Sequence, residues 1–276
     1  MFADLHLHSI FSDGTDTPRE LCDLALDHGV LVISITDHDA VGGVAQLLRE
    51  PPPEGVSLIP GIEISTIYRY KMLHVLGYYI DIADRGLVRF MDEASQAKTE
   101  STRLNFERAR EQGVFSYEWE RVLAHNAGQQ RISGVHVVGA MEADGYEVPG
   151  MGRWDMFRRY FWPERPDYLS CETFDGHDAI DAIAAAGGVP VIAHPKSIGD
   201  DDTVLELVRY GAQGIEVYHP SHTVEETARY LHMAEQLGVY ISGGSDWHGR
   251  NSEARGTSFA GTGLPDGDYP LLKLMR

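Results

Sequence analysis

Histidines and carboxylates stand in short polar groups that follow or interrupt aliphatic runs. Asp4-Leu5-His6-Leu7-His8 alternates, and on an extended strand a period of two puts both imidazoles on one face, near enough to hold one ion. Alone, such a pair is equally the polar edge of a half-exposed strand. Three more strand ends carry similar groups: Thr36-Asp37-His38-Asp39 after Ile35, Ala193-His194-Pro195-Lys196 after Val189 to Ile192, and Gly244-Ser245-Asp246-Trp247-His248 after Val239 to Ser242. Glu63 lies in Gly61-Ile62-Glu63-Ile64-Ser65, and His74 in the apolar run Met72 to Leu76. A lone histidine in an aliphatic segment is more often a hydrogen-bonded core residue; His74 joins the set because the other strand ends already point to metal. Imidazole plus carboxylate without a cysteine motif suits Zn, Mn or Fe(II), and a carboxylate able to bridge suggests more than one ion. Such a site generates hydroxide at neutral pH and neutralises oxygen charge during in-line displacement. That suits phosphate-ester hydrolysis better than redox chemistry.

The elements that must position these groups form a repeating pattern. Ala3 to His8 alternates and Val30 to Ile35 is aliphatic; between them Thr17, Pro18 and Glu20 make a capping box that opens a helix ending at Gly29. Later, Ala179 to Ala186, Thr203 to Tyr210 and Thr223 to Leu237 read as helices, and Val189 to Ala193, Gly214 to Tyr218 and Val239 to Ser242 as strands. Repeated β/α units predict an α/β fold with a parallel sheet under helices, and polar groups directly after the strands predict a TIM-like barrel with its reactive face at the strand C-termini. A doubly wound open sheet is the competing layout. From about Asp84 to Phe161 the apolar spacing is helical, with Ser116 as an N-cap and Gly145 and Gly152 as breaks. The expected division is a first barrel part over 1–97, a helical insertion over 98–165 that caps the substrate, and a second barrel part over 166–276.

Composition narrows the function classes. Forty-two Asp and Glu against 23 Lys and Arg give the 276-residue chain a formal net charge of -19, which repels long polyanions and acidic membranes. Residues 98–165 hold ten basic and ten acidic residues, so the rest of the chain carries all of that charge. Cys22 and Cys171 are too few for a disulfide scaffold and read as buried thiols of a reducing compartment. With no basic n-region at the start and no apolar run of about 18 residues, a cytoplasmic protein without a membrane partner is expected.

The motifs resemble the polymerase and histidinol phosphatase (PHP) superfamily of metal-dependent phosphoesterases. DLHLHSIFSDGTDTPRELCDLALDHGVLVISITDHDAVGG, GIEIS, HVLGY, VIAHP, GIEVYHPSH and GSDWHG look like its successive motifs, in its order. With an insert between His74 and His194, the layout is closest to the small-molecule members that act on nucleotide-like phosphates. The resemblance implies a distorted (β/α)7 barrel with a helical insertion and a centre of three divalent ions, Mn first, with Fe or Zn as alternatives. On that pattern His6, His8, Glu63 and Asp246 hold one ion, and Glu63 bridges to a second held by His74 and His194. Asp13, His38 and His248 hold the third, and a hydroxide bridging the first two ions is the nucleophile.

The remaining site residues are also expectations. Phe157-Arg158-Arg159-Tyr160 resembles the family segment that supplies a phosphate-binding arginine, with Arg158 ahead of Arg159, the alternative being a solvated basic helix face. Arg131-Ile132-Ser133-Gly134-Val135-His136 resembles a second substrate-contact segment, making Arg131 and His136 candidates, although relatives usually carry Arg where this chain has Gly134. Lys196 is a further candidate beside His194. His219 and His222 follow another strand end, and either is placed to protonate a leaving alkoxide or bind phosphate. Asp37 and Asp39 are expected to orient ligands or cap the following segment. The expected substrate is a small phosphate ester, either a monoester or a small or cyclic diester opened and then dephosphorylated. The nearest family alternatives are a nucleoside 3',5'-bisphosphate and the end of a short oligonucleotide. Carbon–nitrogen hydrolysis of the amidohydrolase type and a non-catalytic metal-binding module are the other classes.

Overall fold

A computed structural model describes residues 3–69, 71–253, 256–267 and 269–275. Strand β1 (Ala3–Leu7) leads through α1 (Pro18–Asp27) to β2 (Val32–Ile35), then through α2 (Gly42–Arg49) to the short β3 (Ser57–Leu58). These three strands form one parallel sheet in the order β1-β2-β3. Helix α1 starts where expected, because the Thr17 hydroxyl and Glu20 carboxylate cap each other's backbone N–H.

The next pair departs from a uniform β/α repeat. β4 (Gly61–Tyr68) and β5 (Lys71–Tyr78) are antiparallel, with Glu63 opposite Leu76 and Ser65 opposite His74. Helices α3 (Arg85–Glu111), α4 (Trp119–His125), α5 (Gly134–Ala143) and α6 (Arg153–Met156) follow, α6 running into a π-helical turn at Phe157–Phe161. Then come α7 (Gly176–Ala185), β6 (Val189–Ile192), α8 (Asp201–Tyr210), β7 (Gly214–Tyr218), α9 (Val224–Leu237), β8 (Tyr240–Gly243) and α10 (Arg250–Glu253). The second sheet runs β4-β5-β6-β7-β8, antiparallel across β5 and parallel from β6 onward.

Strand order thus follows chain order and never reverses, unlike a doubly wound sheet. The fold is mixed α/β with parallel segments, and no single closed sheet forms among the described residues. Isolated backbone links join the sheets among the described residues: the His8 N–H donates to the Trp247 carbonyl at 2.9 Å, the Glu63 N–H to that of Asp37 at 3.3 Å, and the Asp39 N–H to that of Glu63 at 2.9 Å.

Ile62, Ile64, Leu73 and Val75 pack on α7 and α8 in the largest core. Phe106, Tyr117, Trp119, Val137, Met141 and Phe161 form a separate core among the middle helices. Ser116 does not cap α4; its N–H bonds the Tyr146 hydroxyl and Glu118 precedes the helix, because the cap lies two residues further on. Along α3 a buried polar stripe ties down the return segment: Asn105 exchanges hydrogen bonds with Leu169 at 2.9 and 3.2 Å, and the Ser101 hydroxyl accepts the Cys171 N–H at 2.8 Å. Cys22 is buried, whereas Cys171 is only half-buried, since this segment lies on the surface of α3. No helix among the described residues is long and apolar enough to cross a membrane.

Candidate metal centre

The strand ends gather the expected ligand groups in one place. His6 and His8, two residues apart on β1, place their ring centroids 5.1 Å apart, and His8 stacks on His248 at 3.9 Å. Around the His8 pair, His6 Nε2 lies 3.3 Å from Glu63 Oε2 and 3.4 Å from Asp246 Oδ1, and His8 Nε2 lies 3.3 and 3.2 Å from the same oxygens. Ligand atoms about 2.05 Å from a shared tetrahedral ion lie about 3.3 Å from each other. These spacings fit the edges of a coordination shell, whereas they are long for charge-assisted hydrogen bonds.

Glu63 faces the rest of the cluster with its other oxygen. His74 Nδ1 and His194 Nε2 approach Oε1 at 2.9 and 3.0 Å, whereas Oε2 faces His6, His8 and, at 3.0 Å, His38 Nδ1, so the two carboxylate oxygens address different sets of imidazoles. Beside them His8, Asp13, His38 and His248 converge, with His248 Nε2 3.3 Å and His38 Nε2 4.0 Å from Asp13 Oδ1. All nine expected ligand residues are therefore brought together. His6 Nε2, both nitrogens of His8, Asp13 Oδ1 and Glu63 Oε2 are buried without a hydrogen-bond partner. Orphaned polar atoms of this kind each cost about 1–3 kcal/mol, and divalent ions would satisfy the two carboxylate oxygens, His6 Nε2 and one nitrogen of His8.

Hydrogen bonds set the ring tautomers. His6 Nδ1 donates to Glu216 at 2.8 Å, His194 Nδ1 to the Ser197 hydroxyl at 3.0 Å, and His248 Nδ1 to the Asp246 carbonyl at 2.8 Å. Each leaves an Nε2 lone pair facing the carboxylates, the arrangement a metal-binding imidazole needs. His219 is the reverse: its Nδ1 accepts the Ser221 N–H at 3.1 Å, so a neutral ring carries its proton on Nε2, 3.4 Å from Asp246 Oδ2.

Charges reinforce the design. Burial favours a neutral Glu63, but His38, His74 and His6 outweigh it and hold the carboxyl well below the usual range. Asp13 and Asp246 are likewise depressed against burial, in each case foremost by His248. His8 is lowered by burial, yet Asp246 and Glu63 raise it to about 9. Backbone is strained here too: Asp39, His194 and Asp246 have φ of 50°, 25° and 50° in the left-handed region. Gly244 allows close approach, since a Cβ there would meet the His6 Cβ at 2.3 Å.

Supporting residues were only partly anticipated. Asp37 accepts from the Ser9 N–H and from the Ser9 and Ser12 hydroxyls, all at 2.7 Å, anchoring the loop that carries Asp13. Asp39 accepts the Ser65 N–H at 2.8 Å and pairs with Arg131. Glu216 was missed, although a carboxylate inside the apolar run of β7 signals a buried partner. Burial raises the Asp4 carboxyl to about 7 despite its 2.8 Å bond from the Ser245 N–H.

A cavity of about 440 Å³ opens over the cluster, lined by Asp13, Glu63, His74, His194, His219 and Asp246, among others, and by Lys98, Arg131, Glu172, Phe157, Phe161 and Trp162. Arg131 and His219 thus reach the cavity. Arg158 and Arg159 do not: Arg158 pairs with Asp155 at 2.8 Å with 65% of its side chain exposed, and Arg159 lies over Tyr160. Phe157 and Phe161 take the inward positions of the π-helical turn, which leaves the arginines between them outside. Lys196 also lies off the cavity, its ammonium donating to the Ser221 carbonyl at 2.7 Å and pairing with Glu226 at 2.9 Å. His136 is used structurally, accepting the Ser133 N–H at 3.0 Å and donating to the Ser12 carbonyl at 2.9 Å. His222 sits behind His219, its Nδ1 donating to the Val217 carbonyl at 2.9 Å and its ring against Tyr230.

A histidine–carboxylate cluster at the strand ends of an α/β fold defines a metal-dependent hydrolase. Residues 4–198 match the PHP domain family. The chain is 32% identical over 257 residues to a 3',5'-nucleoside bisphosphate phosphatase of Chromobacterium violaceum, covering 89% of this chain and 86% of that one. It is 28% identical over 252 residues to a phosphoribosyl 1,2-cyclic phosphate 1,2-diphosphodiesterase of Eggerthella lenta, covering 91% and 95%. A solved chain from Bifidobacterium adolescentis, assigned as a metal-dependent phosphoesterase, superposes with a TM-score of 0.79 at 29% identity, over 90% of this chain and 88% of that one. The protein belongs to the PHP domain family and is a metal-dependent phosphoesterase.

Proposed function

We propose that the protein hydrolyses a small phosphate ester at a centre of three divalent ions, with Mn favoured over Fe or Zn. The carrying observation is the convergence of unpartnered ligand atoms from His6, His8, Asp13 and Glu63. His6, His8, Glu63 and Asp246 would hold one ion, His74 and His194 a second shared through Glu63, and Asp13, His38 and His248 the third. Bound there, the ions supply the Lewis acidity and water activation that phosphoester hydrolysis requires. The two sheets act as parts of a distorted (β/α)7 barrel capped by 98–165, a reading supported by the links at His8 and Glu63.

The chain's own groups divide the remaining work. His219 presents an Nε2–H into the cavity: as the neutral ring it donates a hydrogen bond to a phosphoryl or leaving oxygen, and as imidazolium, with the Ser221 hydroxyl beside Nδ1, it would protonate the leaving oxygen and return to the neutral ring. Arg131, fixed against Asp39 and Ser65, orients the ester. A monoester and a small or cyclic diester, opened and then dephosphorylated, both suit one cluster, and relatives named for both kinds of substrate support this range. A nucleoside bisphosphate is the alternative suggested by one of them. Long nucleic acids and membranes are not partners, given the charge of -19, and the protein works in the cytoplasm.

The test is to purify the protein with Mn present, count bound metal, and follow phosphate release from a panel of monoesters and small diesters. Metal-dependent release is expected. Metal-replete protein inert on the whole panel refutes the proposal, and turnover of cyclic amides instead would move the activity to carbon–nitrogen bonds.

A further inference from the structure

The cavity has two chemically different ends. Carboxylates and imidazoles of the cluster form one, while Met72, Val135, Phe157, Phe161, Trp162 and Pro163 supply an apolar wall. The wall is built closely. Phe157 meets Trp162 edge to face with centroids 5.7 Å apart, and a Cβ at Gly134 would lie 2.3 Å from the Phe161 Cβ, so glycine at 134 lets the Phe161 segment close against α5.

Lys98 and Arg131 are the cationic side chains lining the cavity among the described residues, and neither is free. The Lys98 ammonium lies 3.3 Å from both oxygens of Glu172. Arg131 pairs with Asp39 and donates to the Ser65 hydroxyl at 2.9 Å. Away from the cluster, a ligand therefore meets the apolar wall, internally neutralised charges and the neutral polar residues Ser65, Thr66, Ser133, Ser197 and Ser221. A second phosphate there would lose hydration with no uncompensated cation to replace it, whereas a flat apolar group would gain from burial against Phe157 and Trp162.

Building on the phosphoesterase reading, we infer that the cavity favours esters with a single phosphoryl group on an aromatic or otherwise flat apolar carrier, and discriminates against a carrier with a second phosphate. Phe157, Trp162 and the Lys98–Glu172 pair set that preference.

The test compares benzyl phosphate, its ring analogue with a second phosphomethyl group, and glycerol 1-phosphate, three esters of alcohols with similar leaving ability, on the Mn-loaded protein. Expected kcat/KM for benzyl phosphate exceeds each of the others by about tenfold or more. Phe157→Ala, with Trp162→Ala as a second variant, lowers the benzyl-to-glycerol ratio about tenfold. Glu172→Gln, which releases Lys98, raises the ratio of bisphosphate to monophosphate turnover. Preference for the bisphosphate, or unchanged ratios in both wall variants, overturns the inference. Calorimetric titration with benzylphosphonate and methylphosphonate separates it from the hydrolase reading. Tighter benzylphosphonate binding without turnover of any ester upholds the cavity preference while sinking hydrolysis; equal binding sinks the preference.

Discussion

Glu216 accepts a hydrogen bond from Nδ1 of His6 at 2.8 Å, and neither side chain reaches solvent. The other carboxylate oxygen accepts the His194 N–H at 2.6 Å, so one buried group fixes two strand ends. Glutamine has one carbonyl oxygen and must aim its NH2 group at a donor. Glu216→Gln should therefore weaken metal binding by about 10–100-fold, the usual effect of losing such a partner. Metal titration followed by circular dichroism checks this: unchanged affinity would show that Glu216 does not position the imidazole.

Proton competition gives a second prediction. In the metal-free cluster His8 is raised to about 9, so at neutral pH an incoming ion must displace its proton. His6, in the same group, is also held, against burial, well above its ordinary value by Glu216 and Glu63, so apparent metal affinity should rise with pH from neutral through about 9. Stability of the metal-free fold moves the other way. A raised histidine contributes stability that is complete below its unfolded value of about 6.5 and is lost as pH rises through about 9. The increase in Tm on adding Mn should thus be larger near pH 9 than near pH 6. Melting curves with Mn and with chelator test it; an increment that shrinks with pH would contradict the assignment.

The strand-end groups were readable because a strand has a fixed period and strand ends in β/α units share a side of the sheet. His38, His194 and Asp246 could be placed together without knowing any side-chain contact. Strand direction was not readable at β4 and β5: apolar runs such as Ile62 to Ile64 and Met72 to Leu76 look the same either way, and the antiparallel hairpin was missed. Arg158 failed for a related reason. Which residues of Phe157 to Phe161 face inward depends on a π-helical turn that local composition does not encode. Glu216 and Glu172 act through partners 210 and 74 residues away, a separation no local pattern reveals.

Gly244 provides a steric prediction. The Cβ of Gly244→Ala would fall 2.3 Å from the His6 Cβ and 2.4 Å from its backbone nitrogen, contacts that cannot be relieved by a flexible side chain. The end of β8 must move away from β1, carrying Asp246 with it. The variant should be destabilised by about 1–3 kcal/mol and bind metal more weakly. Denaturant melts and metal analysis check it, with wild-type values in both showing that the strand ends tolerate more separation than their packing indicates.

Two arginines separate surface charge from substrate contact. Arg158 is exposed and pairs with Asp155 one turn away, so Arg158→Ala should leave kcat/KM within about twofold of wild type. Arg131 is buried against Asp39, which also holds the Ser65 N–H beside Glu63. Arg131→Ala removes a cavity cation and strands a buried carboxylate, so KM should rise about tenfold or more and stability should fall by about 3–5 kcal/mol. Arg131→Lys keeps the charge but not the two-sided contact with Asp39 and Ser65, and should recover stability more than KM. Steady-state kinetics with thermal melts on the three variants decide the matter. A large KM effect from Arg158→Ala with none from Arg131→Ala would return the phosphate contact to the π-helical turn.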